Sequence, residues 1–154
     1  MTVQSIAPIM FESVSAVTAT PSVELGTERT EAGEKYVYVY NAGGTTAAKG
    51  FGLSRPASAA AGLYSASVSA ASGDVCVGFV KHADIGAGSY GWALKRGLVT
   101  IAVASSASDQ SAGVKAIGGG TGKVVTHAAA YFPVGELTTA VVSGNSGALF
   151  VNLP

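Results

Sequence analysis

Charge is what this chain has least of. Only 12% of its 154 residues are Asp, Glu, Lys or Arg, about half the share of an ordinary soluble domain. Such a surface has to be covered by Ser, Thr, Ala and Gly. Its strand edges and apolar patches lack the Lys and Glu that discourage pairing with another chain, which favours a protein that works inside an assembly. Nine Lys and Arg balance nine Asp and Glu. No run of basic residues makes a phosphate-binding footprint, so nucleic acid is not an expected partner.

Cysteine is nearly absent as well. With Cys76 alone there is no intrachain disulfide framework and no Cys-rich zinc site, and within DVCVGFV the residue reads as a small buried hydrophobe. Residues 56–73 and 137–154 are free of charge, but Ser, Gly and Thr interrupt them before an apolar run reaches bilayer length. The opening MTVQSIAPIMFESVSAV lacks a basic region followed by an apolar one, so neither a signal peptide nor a membrane partner is expected. Helical periodicity is weak throughout, PASAAAGLYSA being Ala-rich enough for one short helix.

Strand signals, by contrast, recur along the chain. EKYVYVYN places aromatics at 36, 38 and 40 and valines at 37 and 39, between the turn signals EAGE and NAGG. GLYSASVSA, turned by SGD, predicts a hairpin with DVCVGFV; YGWALK, turned by KRG, predicts another with LVTIAVA; LTTAVV and ALFVN, joined by SGNSG, predict a third. KVVTHAAAYF adds a further strand. Short strands separated by Gly-bearing turns at intervals of about ten residues define an all-β, single-domain antiparallel sandwich or barrel, jelly-roll-like. Trp92 in mid-strand, with Tyr90 on the same face by period two, is the expected core anchor between sheets.

Residues 1–22 fit this pattern less well and read as an N-terminal arm or a first strand before a β domain at 23–154. Ile6, Ile9, Met10, Phe11 and Val14 have no clear period and are interrupted by Pro8. As an extended arm they are expected to dock on a neighbouring subunit, with the acidic ELGTERTEAGE behind them as a solvated spacer.

Three chemical motifs were weighed and set aside. AIGGGTGKVV approaches a phosphate-binding loop, but Ile117 stands where the first glycine is required and Val124 where the magnesium-binding hydroxyl belongs. SGNSGALF resembles the nucleophile segment of trypsin-like serine proteases, which would make Ser146 the nucleophile. Ala148 replaces its second glycine, the chain ends eight residues after Ser146, and His82 and Asp84 are two residues apart rather than on separate loops. His82, Asp84 and His127 have a chance-level metal spacing with no further acid near His127. No catalytic, cofactor-binding or metal residue is therefore expected.

EKYVYVYNAGG, AGSYGWALKRGLVTIAV and GELTTAVVSGNSGALFVNLP together resemble the small virion proteins of tailed bacteriophages, the decoration or cement proteins of the capsid exterior. The resemblance covers most of the chain after about Val23 and is one of style, so no individual functional residue is carried over. It implies a viral structural protein on the outside of the virion, whose partners are the major capsid protein and copies of itself, as a homodimer or homotrimer. Such a protein stabilises the head by multiplying modest contacts. The alternative is a carbohydrate-binding or tail-associated β module in which Tyr36, Tyr38, Tyr40 and Trp92 supply stacking platforms; an enzyme comes third. Buried aromatics beside an apolar rim would favour assembly, and exposed coplanar aromatics the sugar binder.

Overall fold

Tyr and Val alternate in EKYVYVYN because both faces of that strand are covered, and the rest of the fold is arranged around it. The computed structural model describes residues 12–55, 64–68, 74–102, 113–118, 123–126, 133–142 and 145–154, the backbone alone at 101–102, 114–118 and 123–126. Among them run β1 (Val17–Thr18), β2 (Glu28–Glu31), β3 (Glu34–Asn41), β4 (Gly52–Arg55), β5 (Ser65–Ala66), β6 (Val75–Val80), β7 (Tyr90–Ala102), β8 (Gly113–Gly118), β9 (Lys123–Thr126), β10 (Pro133–Leu137) and β11 (Ser146–Asn152). One hydrogen-bonded path connects β2, β3, β7, β11, β10, β8 and β9, with β1 and β6 also on β7, β4 on β6, and β5 on β3. Every pairing but the parallel β3–β5 contact is antiparallel. The fold is all-β and sandwich-like, and its sheet does not close into a barrel.

β7 is the spine. Its 13 residues run without reversal, Tyr90–Arg96 along β3 and Arg96–Ala102 along β11. This corrects the hairpin expected at KRG. Gly97 takes φ +140°, and a Cβ there would lie 2.6 Å from Glu34 Oε1. The glycine thus lets the strand pass close to Glu34, and a bulge between Lys35 and Tyr36 absorbs the irregularity on the partner strand.

The hairpin expected between residues 62–70 and 74–80 is likewise replaced. β5 lies on β3, Ser67 bridges Ser54, and β6 pairs with β4 and β7. The reason is burial: Cys76 and Phe79 enter one core cluster and Val77 and Val80 the other, so β6 needs covered faces on both sides. The third expected hairpin exists, with its first strand moved upstream to Pro133–Leu137, opposite β11. Gly135 makes this pairing possible, since a Cβ there would stand 2.1 Å from the Phe150 carbonyl oxygen. The short helix expected from residue 56 falls mostly outside the described residues, and its last two positions, Ser65 and Ala66, form β5.

The first cluster gathers Tyr36, Tyr38, Trp92, Leu94, Phe79, Leu149 and Val151; the second gathers Val37, Val39, Leu53, Val80, Ile85 and Ala93 on the opposite face of β3 and β7. Residues 12–22 belong to the same body. Val14 is 5% exposed within the first cluster, β1 pairs with β7, and the amide and hydroxyl of Ser22 reach the Tyr38 hydroxyl at 3.2 and 3.0 Å. Within this stretch Val17–Thr18 forms β1, and Val14 is not available as a docking residue because the domain's own core consumes it. Ile6, Ile9, Met10 and Phe11 lie outside the described residues.

Candidate functional site

Glu34 gathers three hydrogen-bond donors. Tyr36 Oη donates to its Oε2 at 2.6 Å, Lys81 Nζ meets the same oxygen at 2.5 Å, and the Leu98 amide donates to Oε1 at 3.1 Å. With the phenol's proton directed at Glu34, the Tyr36 oxygen accepts from His82 Nε2 at 2.8 Å. Burial raises the Glu34 pKa, but the bonds from Lys81, Tyr36 and Leu98 and the Lys81 charge outweigh it and hold the carboxyl below its ordinary value. Burial, together with the hydrogen bond to Glu34, pushes the Tyr36 phenol well above its usual value.

These residues edge an open cleft of about 640 Å³ lined by Glu34, Lys49, Lys81, Leu98, Val99, Thr100 and Ser146. Ser146 is exposed and stands as the first residue of β11, paired with Ala102, rather than in a hairpin loop. His82 is committed to Tyr36, and Asp84 Oδ1 accepts the Lys49 amide at 2.8 Å. Both sit in the connection after β6, not on a strand. The structure therefore brings Ser146 and the Glu34 cluster to one cleft without joining Ser146, His82 and Asp84 into a relay. His127 lies outside the described residues, among which no three His, Cys, Asp or Glu are grouped to hold a metal.

The acidic segment is not a loose spacer. Glu28 pairs with Lys35 at 2.5 Å and Lys95 at 2.7 Å, and Arg29 pairs with Glu31 at 2.7 Å. The hydrogen bonds from Lys35 and Lys95 hold the Glu28 carboxyl low. The acidic excess of the N-terminal part thus meets the basic excess of later strands on one patch. Sequence reading missed Glu34 because its three donors come from β3 itself, from beyond β6 and from the middle of β7.

Tyr36, Tyr38 and Trp92 are buried, Trp92 packs at 5.1 Å and 59° to Tyr38, and Tyr90, half-buried, lies 6.2 Å from Tyr38 and 4.8 Å from Tyr40. The Trp92 indole N–H has no hydrogen-bond partner, so this side chain acts by packing.

The opposite situation holds on the outer face of β7, β11 and β10. Leu98 and Phe150 stand directly opposite each other and are 48% and 45% exposed. Glu136 is opposite Phe150 on the far side. Directly opposed residues share a face, so Glu136, Phe150 and Leu98 form one outward row, while the next row, Leu137, Leu149 and Val99, is buried. Alternation in ALFVN carries that signal, since Phe150 must face away from Leu149 and Val151.

Comparison with protein-family models, curated proteins and solved structures finds no match to this chain.

Proposed function

We propose that this chain is a viral structural protein of the decoration or cement type, which binds the outer surface of a tailed-phage head and stabilises it through contacts with the major capsid protein and copies of itself. The observation that supports this reading is the division of its apolar side chains. Tyr36, Tyr38 and Trp92 are spent in the domain's own core, while Leu98 and Phe150 are left outward on the sheet face. An assembly subunit needs a rigid body and a face that is stabilised only when covered. A glycan-binding or tail-associated module would use Tyr36, Tyr38, Tyr40 and Trp92 as stacking platforms; Tyr36, Tyr38 and Trp92 are buried, and Tyr40 is half-buried against Tyr90.

The test is cosedimentation of the purified protein with heads of the phage that encodes it, prepared without it. Saturable binding at a symmetric number of sites, with raised resistance of the heads to heat, is expected. Heads that sediment without the protein overturn the reading, and retention on a glycan array in the same preparation would install the alternative.

A further inference from the structure

We propose that the outer face of β7, β11 and β10 is a self-complementary surface on which a second copy of this chain docks about a twofold axis running along β11. The inference deepens the self-association part of the proposed function and rests on that part alone. Its basis is the arrangement around the Leu98–Phe150 pair. Glu136 flanks Phe150 on β10, and Arg96 lies two residues along β7 from Leu98, opposite Asn152. Both charged residues are exposed, and neither joins the ion pairs formed among the described residues. One face therefore carries an apolar centre with a free acid on one side and a free base on the other. That is the pattern an isologous contact requires, because each copy presents both members of the pair.

The strand order gives the docking its register. Since β11 lies between β7 and β10, a twofold axis along it sets β7 of each copy over β10 of the other, in the nearly aligned orientation of stacked sheets. Phe150 then meets its own counterpart near the axis. Leu98 of one copy faces the open groove of about 400 Å³ that Pro133, Gly135, Glu136, Phe150 and Asn152 line on the other. Arg96 arrives beside Glu136, within the diagonal reach of a long side chain. The Arg96–Glu136 pair forms twice, once on each side of the axis, and fixes the orientation that apolar contact alone would leave open.

Sedimentation equilibrium of the full chain and of charge-reversal variants tests the proposal. The unmodified protein is expected to be a dimer. Arg96→Glu and Glu136→Arg should each weaken the dimer about tenfold or more by placing like charges together, and the double reversal should restore most of the loss. Because both residues are exposed, circular dichroism of the variants should match the parent. A monomer at every concentration, a trimer, or a dimer unmoved by the single reversals overturns the proposal. A monomer that still sediments with heads would overturn self-docking and leave the decoration reading standing; a dimer that ignores the heads would do the reverse.

Discussion

The front half of β7 and its back half are one strand in two environments. From Tyr90 to Arg96 it lies beside β3, with Trp92 and Leu94 in one core cluster and Ala93 in the other. From Arg96 to Ala102 it lies beside β11, with Val99 turned inward and Leu98 and Thr100 exposed. Three of the four ion pairs among the described residues, Glu28 with Lys35 and Lys95 and Arg29 with Glu31, sit around the first half, and the fourth, Glu34 with Lys81, sits where the two halves meet. The half with two covered faces thus also holds most of the ion pairs, while Arg96 and Glu136, beside the bare apolar face of the other half, join none of them. Stability is concentrated in the first region. Under the proposal above, association is left to the second.

The largest break in this comparison should come from Trp92. Trp92→Ala leaves a cavity among Tyr38, Leu94 and Phe79 and is expected to cost about 3–5 kcal/mol of unfolding free energy, read from urea denaturation. The folded parent should emit in the blue, as a buried indole does; emission like that of indole in water would contradict the burial. Gly135→Ala comes next. Its Cβ would meet the Phe150 carbonyl at 2.1 Å, backbone that cannot swing aside, so about 1–3 kcal/mol is expected from the forced shift. Gly33→Ala, whose Cβ meets nothing within 4 Å but whose φ is +81°, separates clash from backbone strain in the same measurement.

How much of this was legible depended on where each residue's partner lies. β3 was readable to its ends because YVYVY needs no distant information: both its faces are apolar, and turns flank it. The reversal at KRG was misread because a glycine in a turn and a glycine beside a carboxylate look alike locally, and Glu34 is remote in sequence. β6 was assigned to the wrong neighbour for a related reason, since alternation says which residues are buried but not which strand covers them. Trp92 was correctly expected to be buried. The local sequence around Val14 shows no period and so points to a docking arm, whereas its burial depends on β1 reaching β7.

A smaller effect, and a pH-dependent one, is expected at the junction of the two halves. Glu34→Gln removes the charge opposite Lys81 while keeping a group that can accept from Leu98, and should cost about 1 kcal/mol at neutral pH. Because the folded carboxyl sits below its ordinary value of 4.5, the stabilisation is fully present above that value and is lost as pH falls through the folded pKa. The parent and Glu34→Gln should therefore differ at pH 7 and converge in acid. Curves that stay parallel down to low pH would show that Glu34 acts by shape rather than by charge.

The smallest effect on folding should be at Phe150, and it sharpens the comparison most. Phe150 stands one residue from Leu149 and Val151, both fully buried, so a substitution there probes the same strand with its face reversed. With 45% of the side chain exposed and no cavity to leave behind, Phe150→Ser is expected to change the unfolding free energy of the isolated chain by less than about 1 kcal/mol. Leu149→Ser beside it would bury a hydroxyl in the first core cluster and should cost several times more. Both values come from denaturation at concentrations low enough to keep the chain monomeric, since any partner bound only to the folded state would add its own stabilisation. Were Phe150→Ser as damaging as Leu149→Ser, the outer face would be part of the domain's own core, and the division between a region that folds the molecule and a region that joins it to others would fail.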